Sequence, residues 1–210
     1  MKVTLLSYQQ PAEALHEAKT NCIQELVAFC ARVSNPSNQY NTETSEKLLK
    51  YLINHKHWSP FEMVSVCLEI ETTRDIARQI LRHRSFSFQE FSQRYADPVK
   101  ELSFVTREAR LQDKKNRQNS IEINDNELSQ QWQSKQQKLI DLAQETYKWA
   151  VDKGIAKEQA RVVLPEGNTV SRMYVNGTLR SWIHYIDVRD GNGTQKEHAE
   201  IARACAEVIT

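Results

Sequence analysis

Between Met63 and Glu71 apolar and polar residues alternate. Val64, Val66, Leu68 and Ile70 fall on one side, and Ser65, Cys67, Glu69 and Glu71 on the other. That period of two predicts a half-buried strand. Met1 to Ser7 predicts a first strand. Other stretches carry the helical period. Ala12 to Val33 predicts one helix, with Pro11 at its start and Asn35-Pro36 beyond its end. A polar loop, Ser34 to Thr44, follows. Ser45 to Asn54 places Leu48, Leu49, Leu52 and Ile53 on one side. Thr72-Thr73 can cap a helix from Arg74 to about His83, whose apolar face is Ile76, Ala77, Ile80 and Leu81. Asp97 to Asn126 is polar and predicts a mobile surface excursion with one short strand, Glu101 to Thr106. Glu127 to Asp152 predicts a long amphipathic helix ended by Lys153-Gly154. Lys157 to Leu164 is a short helix stopped by Pro165. Thr169 to Val175 reads as a strand and Thr178 to Val188 as a helix. Asp190-Gly191-Asn192-Gly193 breaks the chain before a last helix, Gln195 to Ile209. Helices and strands mix without a βαβ rhythm, so the expected class is α+β: a mixed sheet flanked by helices in a single domain over 1–210.

Composition changes this picture little. The 210 residues are 40% hydrophobic and 26% charged, ordinary for a globular chain, and the net charge is +1. No global field draws nucleic acid or membrane, so any basic site is local. No apolar run approaches the roughly 20 residues of a membrane span. The polar start reads as a strand rather than a signal peptide. Cys22, Cys30, Cys67 and Cys205 are scattered without a CxxC pair, which predicts no metal site and reduced thiols in the cytoplasm.

The chemistry concentrates in Arg82-His83-Arg84-Ser85-Phe86-Ser87-Phe88-Gln89-Glu90-Phe91-Ser92-Gln93-Arg94. Three arginines, a histidine and three serines share this segment with one acid. Guanidinium forks and hydroxyls suit phosphate oxygens. Arg74, Arg78 and Arg82 repeat at i, i+4 and i+8, where like charges repel by a few tenths of a kcal/mol per exposed pair. Either acids (Asp75, Glu69, Glu71) or a bound anion offsets that repulsion. Phe86, Phe88 and Phe91 between the arginines also fit a single-strand nucleic-acid platform. The near-neutral charge and the single short basic segment argue against that, and nucleic acid is not an expected partner. A Ser–His nucleophile lacks a G-x-S-x-G elbow. Each cysteine reads more readily as structural than as a nucleophile. No glycine-rich nucleotide loop is present, so side chains would have to hold a nucleotide. Arg161 and Arg189 stand beside apolar runs, where an arginine is usually snorkelling or ion-paired.

The spacing R-H-R-x-x-S-x-x-x-x-S-x-R, from Arg82 to Arg94, is the signature of the flavin-dependent thymidylate synthases, which the chain resembles over most of its length. Ala31-Arg32-Val33-Ser34, His57-Trp58-Ser59-Pro60-Phe61-Glu62, Ala77-Arg78-Gln79, Ala160 to Pro165 and Leu179-Arg180-Ser181-Trp182 follow in family order. The resemblance implies methylation of dUMP to dTMP. Methylenetetrahydrofolate gives the carbon, and FAD reduced by NADPH gives the hydride. It also implies a homotetramer with active sites shared between subunits. Gln79, Arg82, Glu90, Ser92, Arg94, Arg161 and Arg189 are then expected to hold dUMP. Ser59, Arg82, His83, Arg84, Glu90, Thr178, Arg180 and His184 are expected on FAD, with Ser34 and Glu62 near it and His57 by the flavin ring or folate. Arg189 is expected to activate the uracil ring, with no cysteine nucleophile. Thr178 and His184 stand where many members carry Asn.

Overall fold

A computed structural model describes residues 1–16 and 20–210. Four antiparallel strands form the main sheet in the order β1 (Lys2–Tyr8), β2 (Ser65–Thr73), β6 (Val170–Thr178), β3 (Ser87–Glu90). The alternation of β2 is obeyed: Val66, Leu68 and Ile70 are buried, and Cys67, Glu69 and Glu71 lie on the opposite face. Met173 and Val175 of β6 extend the buried face, register-paired with Ile70 and Leu68. Three helices cover it: α4 (Arg74–Ile80), α8 (Leu179–Arg189) and α9 (Lys196–Ile209). Ile76, Ile80, Trp182, Tyr185, Ile201 and Cys205 fill this core, each large apolar side chain contributing about 1.5–3 kcal/mol. The indole N–H of Trp182 donates to the Val66 carbonyl at 3.1 Å, so its one polar atom is satisfied.

A second cluster, Val27, Leu52, Phe61 and Val64, joins α2 (Ile23–Ala31) to α3 (Ser45–Asn54). Arg32, itself buried, pins the following loop by donating to the Asn41 carbonyl and to Thr44 Oγ1. A third, Tyr147, Ala150, Ala160 and Leu164, sits where α6 (Asn126–Asp152) meets α7 (Lys157–Ala160), which runs on into a 3-10 turn, Arg161–Val163.

Four expectations need correction. The expected helix Ala12–Val33 is broken: α1 (Glu13–His16) is separate from α2, Thr20 to Cys22 are not helical, and residues 17–19 of that span lie outside the described residues. Glu25 explains the restart, since its carboxylate accepts the backbone N–H groups of Asn21 and Cys22. The helix expected to reach His83 ends at Ile80, and Leu81 to His83 form turns. Thr73 occupies the N-cap backbone position, but its hydroxyl donates to Asp75 Oδ1 at 2.6 Å rather than capping. The strand expected over Glu101–Thr106 is replaced by α5 (Pro98–Glu101), capped by Asp97, and one bridge from Phe104 to Thr169. Beyond it a small hairpin forms, β4 (Arg110–Gln112) with β5 (Ser120–Glu122). Arg110 ties it to Glu197 of α9, and Glu122 ties it to Lys196.

Candidate active site

The expected site residues gather in separate clusters. One surrounds the N-terminus of α4 and the edge strand β3. Glu90 Oε1 accepts from Ser171 Oγ at 2.8 Å and from Arg74 Nη1 at 3.3 Å. Arg74 is 7% exposed and also reaches Glu166, which Arg78 grips at 2.5 and 3.1 Å. Arg78 first, then Arg74, hold the Glu166 carboxyl below the usual range against the opposing effect of burial. The repulsion along α4 is therefore offset by Glu166 and Glu90, not by the expected Glu69 or Glu71, which pair with Arg172. Asp75 pairs with Arg107 instead. Beyond Glu90 the chain turns, and Arg94 meets Glu158 of α7 at 3.1 Å. Ser92 and Arg94 line a surface cleft of about 440 Å³ with Lys157 and Glu158. Arg161 begins the next turn of chain after α7.

A second cluster lies at the other end of α4. Its seven residues span about 10 Å at about 1.5 Å per residue. Here Arg189, the last residue of α8, donates from Nε to His83 Nε2 at 2.8 Å. That bond requires an unprotonated Nε2, and the histidine is held neutral by burial first and by Arg189 second, both lowering its pKa. Gln79 donates to Gln195 Oε1 at 3.0 Å and accepts from His198 Nδ1 at 3.2 Å. The Tyr185 ring stands edge-on to His83, centroids 5.0 Å apart.

The third cluster flanks the N-terminus of α8 and a 3-10 turn, Ser59–Glu62. Arg180 pairs with Glu62 at 2.5 Å, and the His184 ring meets Trp58 at 4.4 Å. Thr178 caps α8, its hydroxyl accepting from the Ser181 N–H at 3.3 Å. Ser59, at the start of this turn, and His57, just before it, are exposed, and Ser34 is exposed in the loop after α2.

The side chains of Arg82 and Arg84 are exposed and have no hydrogen-bond or ion-pair partner among the described residues. Two free guanidiniums in one turn of chain fit a diphosphate-bearing cofactor such as FAD. The clefts containing Ser92 and Arg94, or Glu90, include none of Gln79, His83 and Arg189. Phe86 is buried against Trp182, centroids 4.6 Å apart, and Phe88 packs on the core. Neither ring forms an open stacking platform, and the third, Phe91, is half-buried beside Arg172 and Tyr174. Sequence reasoning named Arg74 only as part of the arginine repeat and missed Glu166, Ser171, Tyr185 and His198. Only Arg74 carried a signal, its i, i+4 spacing to Arg78.

The profile of the family described as "Thymidylate synthase complementing protein" matches residues 17–210. A "Probable flavin-dependent thymidylate synthase" of Paramecium bursaria Chlorella virus 1 is 51% identical over 189 residues, 90% of this chain and 86% of that one. The flavin-dependent thymidylate synthase of Synechocystis sp. (strain ATCC 27184 / PCC 6803 / Kazusa) is 48% identical over 209 residues, 100% of this chain and 94% of its own. Among solved structures, the UMP/dUMP methylase PolB of Streptomyces cacaoi, bound with 5-Br dUMP, superposes with a TM-score of 0.80 at 25% identity, covering 99% of this chain and 89% of that one. With its fold, its arginine-rich signature and these relatives, the chain belongs to the thymidylate synthase complementing protein family, that of the flavin-dependent thymidylate synthases.

Proposed function

We propose that residues 1–210 act as one domain that methylates dUMP to dTMP, as a homotetramer whose sites combine residues of more than one subunit. The dispersal of the expected dUMP residues carries the shared-site reading. Glu90 is held by Arg74 and Ser171, near the start of α4, whereas Gln79 and Arg189 converge near its end. A nucleotide that needs both sets is completed by a neighbour. The long helix α6 supports the same reading. Trp132, Leu139, Leu142 and Trp149 recur at spacings of seven and three residues, and each is 44–60% exposed, a stripe suited to burial in an assembly.

Ser92, Arg94 and Arg161 supply donors for the phosphate dianion. Arg82, Arg84 and Arg180 meet the charged part of FAD, with Ser59, His83, Thr178 and His184 as its further neighbours. When bound, FAD reduced by NADPH supplies the hydride, and methylenetetrahydrofolate supplies the carbon. Arg189 has its Nε committed to His83, so its two Nη groups are left for the imide edge of uracil. A fixed cation there stabilises negative charge as the ring is polarised. The four thiols are unpaired in the structure, and a reducing cytoplasm suits them. No described helix is long and apolar enough to cross a membrane.

The deciding experiment measures dTMP formed from dUMP with methylenetetrahydrofolate, NADPH and FAD. Wild type is expected to form product, and Arg189→Ala to lose about 10²–10³-fold in turnover while staying yellow with bound flavin. A yellow, folded wild type that forms no dTMP would sink the proposal, and undiminished turnover in the variant would remove Arg189 from its role.

A further inference from the structure

His198 and Tyr185 lie beneath the second cluster and have no part in the chemistry above. His198 is completely buried and Tyr185 is 1% exposed. They end a chain of side-chain hydrogen bonds that begins at a charge. Arg110, from the hairpin, donates to Glu197 Oε1. Glu197 Oε2 accepts from Gln195 Nε2 at 3.0 Å. Gln195 Oε1 accepts from Gln79 Nε2 at 3.0 Å, Gln79 Oε1 accepts from His198 Nδ1 at 3.2 Å, and His198 Nε2 meets the Tyr185 hydroxyl at 3.2 Å.

The polarity of this chain follows from its anchor. Burial alone would raise Glu197, but Arg110, its own backbone N–H and Gln195 together hold it below the usual carboxylate range. An ionised carboxylate only accepts. Gln195 must therefore turn its NH₂ to Glu197 and its oxygen to Gln79. Gln79 must then turn its NH₂ to Gln195 and its oxygen to His198. His198 must carry its proton on Nδ1, leaving Nε2 to accept from Tyr185. Burial first, then Arg189 and His83, lowers the His198 pKa to about 4, and burial raises that of Tyr185, so both keep these states at neutral pH.

We propose that His198, held by Tyr185, is a positioning residue that fixes the amide of Gln79 in one orientation for dUMP. This rests on the reading that Gln79 contacts dUMP. Without the His198 proton the amide keeps only its bond to Gln195 and can pivot about it, which misplaces the donor and acceptor it turns toward the ligand. Binding then has to select the correct orientation, which weakens dUMP. The FAD residues Ser59, Arg82, Arg84 and Arg180 are outside the chain, so FAD uptake separates positioning from general damage. The Tyr185 ring also touches His83, so Tyr185→Phe loosens the His198 ring that holds Gln79 and leaves the ring contact with His83 in place.

The test is the dissociation constant for dUMP by calorimetry on FAD-loaded protein, with the FAD constant measured alongside. His198→Leu is expected to weaken dUMP about tenfold or more with FAD unchanged. His198→Asn, whose amide N–H takes the place of Nδ1–H, is expected to recover most of that loss. Tyr185→Phe is expected to raise the KM for dUMP several-fold, with kcat at saturating dUMP within about twofold, because Arg189 is untouched. If His198→Leu does not fold, Tyr185→Phe decides by the same readout. Variants that bind dUMP like wild type, or that lose dUMP and FAD in parallel, overturn the proposal. Wild type that takes up FAD but not dUMP overturns the function reading itself, and this proposal with it.

Discussion

At the scale of single residues, burial sets the protonation states around the second cluster. His83 and His198 are both neutral in the fold. Each has a folded pKa below its ordinary value near 6.5, so the unfolded chain binds protons first as pH falls. Stability is then fully present above about 6.5 and is lost as pH drops toward 4, with a slope of at most about 1.4 kcal/mol per pH unit for each histidine. Urea midpoints between pH 7 and 5 should fall in wild type and fall less steeply in His198→Asn. This window lies above the carboxylate range, so Glu166 and Glu197 contribute little to the difference. The thiols tell a parallel story. Burial pushes Cys205 up to about 12 and raises Cys30 and Cys67, so none of these is poised as a nucleophile. A variant with Cys205→Ala and the other three cysteines replaced by serine should still form dTMP once folded and FAD-loaded. Complete loss of turnover in such a protein would refute this. The segment Arg82 to Arg94 stood out in the sequence because three arginines and a histidine so close together are unusual, whereas Arg161, Arg180 and Arg189 entered the site only through the resemblance. The buried polar partners were not legible. His198 meets Gln79 from 119 positions away and Tyr185 from 13, and nothing local marks such contacts.

At the scale of elements, periodicity was read well wherever one face is buried along the whole element. β2, α3, α6 and α9 lie within two residues of their expected bounds. Failures came where a few side chains decide. The break before α2 turns on one carboxylate, Glu25, and the hairpin β4–β5 is held by ion pairs with α9 that carry no period at all. The strand β3 was absorbed into the signature segment, although its register places Phe88 against Val175. The element scale also yields a packing test. A Cβ on Gly177 of β6 would strike the ring of Phe86, which is wedged against Trp182 at the root of the signature loop. Gly177→Ala should cost about 1–3 kcal/mol and lower the melting temperature. Gly167→Ala, where a Cβ meets open space, is the control and should change it little. Equal melting temperatures for the two variants would show that Phe86 yields freely.

At the scale of the whole molecule, α6 gives the core little for its length. Its 27 residues run about 40 Å at about 1.5 Å each, yet its buried side consists of Gln136, Ile140, Ala143, Tyr147 and Ala150. The exposed apolar stripe that adjoins this side is the natural place to disturb assembly. Leu142→Glu with Trp149→Glu should shift the protein to smaller species in sedimentation and abolish turnover, while the far-ultraviolet circular dichroism of the fold persists. An unchanged sedimentation coefficient would move the interface elsewhere. The α+β class and the sheet-and-helix architecture were legible from pattern; the dispersal of the site was not, because residues adjacent in the signature part company only when α4 comes between them.

That separation by α4 has a genetic consequence. When one site draws Arg94 from one chain and Arg189 from another, two dead alleles, Arg94→Ala and Arg189→Ala, need not stay dead together. Mixed assemblies contain some sites that inherit both intact residues. Co-expressed in a thymidine-requiring host, the two alleles should support growth that neither supports alone.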